Sequence, residues 1–296
     1  MADEDEEIAR ALEATGNFRV LRRIRPKLAF REPPMGERTF TGVVLDVETT
    51  GLDTANAEVI ELGMIKFEYG RDGIVFRVIG TFSQLRQPSA PIPPEITRLT
   101  GISDADVQGR SIAVEDIEAF VAGAGIVIAH NAKFDRPICE RHWPLFREMN
   151  WACSMEQIPW RDEALDAQKL GYILNQYGLF HTGHRASDDC HALLHILASP
   201  LKVSRRPALA ALLESARQST IRLWAKDAPY DCKDTLKGRG YRWSDGSDGS
   251  PKAWYIDLPE TSASVEEAFL KQEIFASEAI RLPTQKLTAK DRFARR

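Results

Sequence analysis

Two acidic residues, Asp46 and Glu48, stand two positions apart at the end of a β-branched run, in the segment VVLDVETTGLD at residues 43–53. Side chains alternate between the two faces of a strand, so both carboxylates are predicted to project from the same face. Carboxylates on a buried strand are unfavourable unless something pairs with them, and a divalent metal ion is the usual partner. The spacing therefore predicts part of a metal site. The alternative is one surface carboxylate and one that is hydrogen-bonded to a turn.

A second acidic signal follows a short apolar strand, GIVIAH at residues 125–130, in the segment IAHNAKFDRPICERHW. Asp135 is predicted to lie in the first turn of the helix that comes after this strand. An acid near a helix N-terminus is favourable in its own right, so Asp135 alone does not require a catalytic explanation.

A third signal is the segment HTGHRASDDCHALLHIL. His184 is predicted to precede a helix, and Asp189 to lie in its second turn, beside an apolar face at helical spacing. Asp188 is predicted to be solvated. We expect His181 and His191 to be ordinary surface or packing residues.

The composition is that of an ordinary globular protein, with 296 residues, 43% hydrophobic residues, 28% charged residues and a net charge of −4. No apolar run approaches the roughly 20 residues of a membrane helix. The N-terminus MADEDEEIAR lacks an apolar core, so no signal peptide is expected. Four scattered cysteines favour reduced thiols in a cytoplasmic protein over a zinc site or disulfides. The net charge neither supports nor excludes a nucleic-acid partner.

Residues 1–40 are predicted to be an N-terminal extension and linker with a basic segment, whose residues are Arg19, Arg22, Arg23, Arg25 and Lys27. We expect a tethered extension with a solvated basic face, although packing on the main domain, contact with phosphates or docking of a partner remain open. Strands predicted at 41–48, 58–69 and 74–85 are joined by short turns and should be antiparallel. The buried strand at 125–130 and later helices then indicate a mixed α/β sheet flanked by helices.

The remaining chain is predicted to hold a connecting helix at 201–221, with Leu209, Leu212 and Leu213 inward, and a small α+β accessory domain with a basic tail at 222–296. In this domain basic and aromatic residues interleave. For the tryptophans we favour a small core built from Trp243, Trp254 and Phe269; a surface that stacks bases and holds phosphates is the alternative. The terminal AKDRFARR is expected to be mobile.

The three acidic motifs, in this order and with a sheet between them, resemble the DnaQ-like, or DEDD-type, 3′→5′ exonucleases. The third motif, HRASDD, is similar to the histidine branch of that family. The resemblance covers roughly residues 41–200 and implies a ribonuclease H-like fold for this exonuclease domain. The layout of the whole chain resembles bacterial relatives of the polymerase III proofreading (epsilon) subunit that carry an appended C-terminal domain.

The resemblance implies two divalent metal ions, Mg²⁺ or Mn²⁺, whose ligands would be Asp46, Glu48, Asp135 and Asp189. Asp46 would bridge both ions, and His184 would act as the general base, since an imidazole titrates near neutral pH. The product would be a nucleoside 5′-monophosphate released from a 3′ end.

The resemblance also implies contacts to the terminal nucleotide. These would come from Thr49, Leu52, Glu95, Thr100 and Asn131. Leu52 would pack on the terminal base, many relatives carry histidine where Thr100 stands, and Asn131 has helix capping as an equal alternative.

The resemblance implies DNA, more than RNA, as the substrate, repair or proofreading as the setting, a polymerase or repair complex as a possible partner, and no membrane. An RNA 3′-end trimming exonuclease is the alternative, because contacts to a 2′-OH decide between the sugars and the sequence does not display them. A nucleic-acid-binding or polymerase-associated module that has lost activity is a second alternative. It predicts loss of a carboxylate or of the histidine, and all five residues are present.

Overall fold

A five-stranded mixed sheet forms the centre of one unit of the chain, Met1–Leu213, and a four-stranded antiparallel sheet forms the other, Glu214–Arg296. The structure is a computed structural model, and it describes residues 2–247 and 249–294. Among these residues, no helix is both long enough and apolar enough to cross a lipid bilayer.

The strands, in chain order, are β1 (Arg22–Arg23), β2 (Phe40–Thr49), β3 (Val59–Tyr69), β4 (Val75–Leu85), β5 (Ile126–Ala129), β6 (Trp151–Cys153), β7 (Leu179–Phe180), β8 (Thr220–Ala225), β9 (Arg242–Ser244), β10 (Ala253–Pro259) and β11 (Thr284–Leu287). The helices are α1 (Ala2–Ala14), α2 (Pro94–Thr100), α3 (Asp104–Val107), α4 (Val114–Val121), α5 (Ala132–His142), α6 (Ser154–Gln157), α7 (Leu170–Gln176), α8 (Ala186–Leu197), α9 (Ala208–Arg217), α10 (Lys233–Gly238) and α11 (Ala263–Phe269). Short 3-10 turns cover Pro144–Glu148, Tyr230–Cys232 and Glu260–Ser262, and a π-helical turn, Leu270–Ile274, continues α11.

The central sheet has the strand order β4-β3-β2-β5-β6. The strands β2, β3 and β4 are antiparallel, whereas β5 runs parallel to β2, and β6 runs parallel to β5. Helix α8 packs on β2, β3 and β4, and helix α5 packs on β2, β5 and β6. The predicted mixed sheet flanked by helices is thus confirmed. Strand β6 was not predicted, because three consecutive buried residues show no alternation.

The N-terminal extension packs against the unit that contains the central sheet. Strand β1 pairs in parallel with β7, and Ala29 forms a β-bridge with Arg77 of β4. Arg22 donates hydrogen bonds to Glu6 and Glu13 of α1, at 3.0 and 2.9 Å. Of the possibilities left open for the basic segment, packing on the main domain is the one observed, because backbone pairing attaches this segment to β7 and β4.

The second unit has the strand order β11-β8-β10-β9. Helix α9 ends at Arg217 and strand β8 begins at Thr220. Residues 220 and 221, the last two of the predicted connecting helix, therefore belong to a strand. The core of this unit consists of Leu223, Ala225, Leu236, Tyr241, Leu270 and Ile274.

Two expectations for this unit are corrected by burial. Trp243 is 50% exposed and lies on the edge strand β9, so it is not a core residue, whereas Trp254 and Phe269 pack partly buried against the core. Arg292, in the supposedly mobile tail, is buried and donates a hydrogen bond to the carbonyl of Ala216 at 3.0 Å. The tail is thereby anchored as far as this arginine, and residues 295–296 lie outside the described residues.

Candidate active site

Three carboxylates meet at the end of β2. Asp46 and Glu48 project from this strand, and Asp189 reaches them from α8. One carboxylate oxygen of each residue lies within 4.8 Å of the corresponding oxygens of the other two. We call these three residues the carboxylate cluster. Two positions of one strand, i and i+2, share a face as the alternation predicts, and one position of a distant helix converges on them.

Gly63 on β3 determines how closely α8 approaches the sheet. This glycine is the cross-strand partner of Asp46. A Cβ atom at position 63 would lie 2.5 Å from the carbonyl carbon of Ala186, too close for any side chain. The Cys190 thiol also donates to the Gly63 carbonyl at 3.3 Å. The first turns of α8 thus lie directly on β3, which brings Asp189 to Asp46.

Glu61 and Arg185 form an ion pair at the start of α8, in which Glu61 is buried and Arg185 is exposed. The fully buried Glu61 carboxylate accepts hydrogen bonds from Arg185 Nε at 2.9 Å and Nη2 at 3.0 Å. It also accepts the backbone N–H of Ala186 at 3.1 Å and the hydroxyl of Ser83 at 3.1 Å. Because one carboxylate satisfies both the arginine and an N-terminal amide of α8, it fixes where this helix begins.

Sequence analysis did not identify Glu61 or Arg185. The available signal was an acid inside an apolar strand, since Glu61 lies directly across from Glu48 in the register of β2 and β3. Like charges in facing positions destabilise a sheet unless a cation intervenes, and Arg185 supplies that cation.

Asp135 lies in the first turn of α5 and is buried. Its Oδ1 accepts the backbone N–H of Val47, between Asp46 and Glu48, at 3.3 Å. Its charge is close enough to raise the pKa of Asp46, although Asp135 is not among the three residues of the carboxylate cluster. The structure thus brings all four predicted acidic residues to the same end of β2.

Burial and mutual repulsion raise the pKa values of these acids. Burial raises the pKa of Asp46 well above its usual range, and the charges of Asp135 and Asp189 add to the effect. Burial, followed by the charge of Asp189, raises the pKa of Glu48 to about 8. Burial raises the pKa of Asp135 to about 7 against the opposing hydrogen bond from Val47. A divalent cation would relieve this repulsion, and an oxygen-only set of donors suits hard cations such as Mg²⁺ and Mn²⁺.

The raised pKa of Glu48 gives a testable pH dependence of stability without metal. The folded protein holds this proton from about pH 4.5 to about pH 8, where the unfolded chain has lost it. The free energy of unfolding should therefore fall as the pH rises through this window. Glu48→Gln should remove that part of the slope and stabilise the protein at pH 8.5 by about 1 kcal/mol or more, since each pKa unit corresponds to about 1.4 kcal/mol.

Chemical denaturation in EDTA at pH 5.5 and pH 8.5 measures this effect. Glu118→Gln, which removes an exposed acid, is the matched control and should leave the slope unchanged. Equal slopes in the wild type and Glu48→Gln would contradict the assigned environment of Glu48.

The structure distinguishes the two histidines that precede α8. His181 Nε2 lies 2.7 Å from Asp189 Oδ1, so this residue is hydrogen-bonded to the carboxylate cluster and is not an ordinary packing residue as we expected. His184 is exposed, and its backbone adopts a left-handed conformation with φ of 63°. The contact between His181 and Asp189 could not be predicted from a helical or strand period, because the segment between His181 and the start of α8 is irregular.

The residues predicted to hold the terminal nucleotide after the Asp-x-Glu pair differ in exposure. Thr49 is buried, and its hydroxyl donates to the carbonyl of Gly51 at 2.7 Å. Leu52 is 85% exposed. Thr49 thus shapes the turn, and Leu52 is available for an apolar contact.

The other three candidates lie on helix ends. Glu95 is exposed in the first turn of α2. Thr100 is buried at the end of the same helix, where its hydroxyl donates to the carbonyl of Ile96 at 2.9 Å and accepts the N–H of Ile102 at 3.1 Å. Asn131 occupies the N-cap of α5 without a side-chain capping bond, so the capping explanation for Asn131 is wrong.

Comparisons with known proteins place the family. Residues 43–197, just over half of the chain, match the RNase_T family model, which is described as an exonuclease. The chain belongs to the RNase_T exonuclease family. The resemblance seen in the three acidic motifs is thereby confirmed, and the RNase_T domain contains all four carboxylates and both histidines of the site.

Two curated relatives are bacterial DNA polymerase components. The PolC-type DNA polymerase III of Clostridium perfringens is 30% identical over 166 residues, which are 54% of this chain and 11% of that polymerase. The DNA polymerase III subunit epsilon of Treponema pallidum is 29% identical over 165 residues, which are 52% of this chain and 73% of the subunit. The aligned half of this chain therefore corresponds to a small part of the first relative and to most of the second.

A solved structure supports the fold. Escherichia coli exonuclease I, in a zinc-bound complex with single-stranded DNA, aligns with a TM-score of 0.50 and 14% identity, covering 74% of this chain and 63% of that one. At this identity the similarity concerns the fold alone. It agrees with the mixed sheet and flanking helices of the RNase_T domain.

Proposed function

We propose that this protein is a 3′→5′ exonuclease that releases nucleoside 5′-monophosphates from DNA, in repair or proofreading. The observation that carries the proposal is the carboxylate cluster, whose oxygens lie within 4.8 Å of one another inside an RNase_T domain. Raised pKa values such as those of Asp46 and Glu48 are typical of acids whose charge serves a ligand or a reaction.

The proposal includes a pair of divalent ions, Mg²⁺ or Mn²⁺, as cofactors. Asp46, Glu48 and Asp189 would hold them, with Asp135 completing the set of ligands. The ions would neutralise charge on the scissile phosphate and on the leaving 3′ oxygen. Glu61 and Arg185 keep α8, and with it Asp189, in place for this role.

His184 is the proposed general base. It precedes α8 by two residues and Asp189 by five, and its exposed imidazole is free to meet a water molecule and a substrate. His181, hydrogen-bonded to Asp189, is proposed as a positioning residue that orients this carboxylate. The proposed contacts to the terminal nucleotide are the exposed residues Leu52, Glu95 and Asn131, with Thr49 holding the turn.

DNA is favoured over RNA because the relatives named above are DNA polymerase components. The match to subunit epsilon also favours work within a polymerase or repair complex. Trimming of RNA 3′ ends is the second candidate, because the carboxylate cluster itself does not discriminate between the two sugars.

Digestion of matched substrates tests the proposal. Single-stranded DNA, duplex DNA, duplex DNA with a mismatched 3′ end and RNA, each labelled at the 5′ end, are incubated with the protein and Mg²⁺ or Mn²⁺. We expect DNA shortened stepwise from the 3′ end, with nucleoside 5′-monophosphates as products. Hydrolysis of RNA but not of DNA would show that the substrate is RNA. Binding of the substrates without hydrolysis would favour a nucleic-acid-binding module that has lost its activity.

A further inference from the structure

A cavity of about 350 Å³ lies where the N-terminal extension meets the RNase_T domain. Its polar walls come from two parts of the chain. The extension contributes Arg23 and Arg25, and the segment around α8 contributes His181, Thr182, Asp188 and His191. The two arginines lie outside residues 43–197, so this cavity is not built by the RNase_T domain alone.

Backbone pairing holds the arginines at the cavity. The N–H of Arg22 donates to the carbonyl of Gly178 at 2.8 Å, and the N–H of Ile24 donates to the carbonyl of Phe180 at 2.9 Å. Because side chains alternate along β1, Arg22 turns towards the acids of α1 and Arg23 turns the other way. The position of Arg23 is therefore set by a strand and not by a free loop.

The cavity arginines are charged and available. Arg22 is neutralised by carboxylates of α1, but Arg23 donates to the hydroxyl of Thr182 at 3.5 Å, and both Arg23 and Arg25 are exposed. Within residues 2–247 and 249–294, neither forms an ion pair with a carboxylate. Asp188 contributes one negative charge to the cavity wall, so the cavity retains a net positive charge with the histidines neutral.

The cavity adjoins the carboxylate cluster at His181. His181 lines the cavity and also contacts Asp189 Oδ1 at 2.7 Å. A strand whose 3′ end lies at the cluster has its next phosphates within a few ångströms of that end, since successive phosphates are spaced by a few ångströms along a strand. Guanidinium groups match phosphate oxygens in both charge and shape.

We propose that Arg23 and Arg25 form a subsite for backbone phosphates of the nucleic-acid strand, on the 5′ side of the nucleotide that is being removed. The N-terminal extension thereby becomes part of the substrate site. The proposal rests on the proposed nuclease function and adds to it a contact that the RNase_T domain does not contain.

The test compares the double variant Arg23→Gln, Arg25→Gln with a matched control, Arg31→Gln, Arg71→Gln. The control also removes two exposed arginines, but neither lines the cavity. Binding of a single-stranded oligonucleotide is measured at several salt concentrations in Ca²⁺. We expect the cavity variant to bind about tenfold more weakly, and the slope of log K against log salt to become shallower by about 0.7 for each phosphate that the variant no longer neutralises. The control should match the wild type.

A second substrate separates binding from chemistry. A nitrophenyl ester of thymidine 5′-monophosphate has no upstream phosphate, so the cavity variant should hydrolyse it as fast as the wild type while showing a raised KM for the oligonucleotide. Replacement of both arginines by lysine should restore most of the salt slope.

The outcomes separate the subsite from the proposed function. An unchanged salt slope, or an equal fall in activity on both substrates, would overturn the phosphate subsite. If the wild-type protein hydrolyses neither substrate, the nuclease function is overturned instead. The measurement of oligonucleotide binding would still test the phosphate subsite. Thermal unfolding of each variant confirms that it is folded.

Discussion

Asp46→Asn is expected to reduce hydrolysis of single-stranded DNA by about a thousandfold or more, equivalent to about 4 kcal/mol of transition-state stabilisation. Asp46 belongs to the carboxylate cluster, and burial, followed by the charges of Asp135, Asp189 and Glu48, raises the pKa of its carboxyl. Asparagine has the same shape but cannot carry the negative charge that a divalent ion requires. The rate of product release in saturating Mg²⁺ gives the measurement.

The fold should survive this substitution. The pKa of Asp46 is raised in the folded protein, so its carboxylate opposes folding near neutral pH in the absence of metal, and Asp46→Asn should unfold no earlier than the wild type in EDTA. Calorimetric titration with Mn²⁺ should show weakened binding. Asp162→Asn, at an exposed position, is the control and should retain full activity and full Mn²⁺ binding. Full activity of Asp46→Asn would remove this residue from the catalytic centre.

Substitution of the two histidines is expected to have the second-largest effect and to divide their roles. His184→Ala should lower kcat by about 10²- to 10⁴-fold, the usual contribution of a general base, with little change in binding of DNA. The defect should persist at saturating metal, because the missing group accepts a proton and does not hold an ion.

His181→Ala should behave differently. Without the 2.7 Å hydrogen bond to His181, Asp189 is less well oriented, so more Mg²⁺ should be needed for half-maximal activity, and high Mg²⁺ should recover much of the rate. His181→Gln, whose amide can donate a hydrogen bond to Asp189, should lie close to the wild type. If His184→Ala keeps its kcat while His181→Ala is impaired at every metal concentration, the roles of the two histidines are reversed.

Local patterns predicted the elements that present the acids. Strand β2 was predicted at 41–48 and observed at Phe40–Thr49, and the helix that carries Asp189 was predicted at 186–198 and observed at Ala186–Leu197. Both are long enough for their hydrophobic period to appear within their own residues. Short elements, such as β6 and the two-residue strands β1 and β7, contain too few residues to show a period.

The second unit shows where local patterns are insufficient. Residue types predicted a small core of Trp243, Trp254 and Phe269, but they do not tell which aromatic residues are covered. Trp243 faces outward because β9 is the edge of the sheet, and Tyr241 instead fills the core. Strand order is a tertiary property, since residues from 220 to 287 contribute to one sheet.

The sequence was sufficient to predict which acids come together: two acids at strand spacing on β2, Asp135 after a buried strand, and Asp189 at the start of a late helix. Their types and local spacing already carry that information. How Asp189 reaches Asp46 follows from tertiary contacts, through a glycine on β3 and the ion pair between the buried Glu61 and the exposed Arg185. Tertiary contacts also bring His181 to the carboxylate cluster and place Arg23 and Arg25 in the wall of the cavity that His181 lines. Glu61 and Arg185 are 124 residues apart in the chain, and no local period records a contact made across that distance.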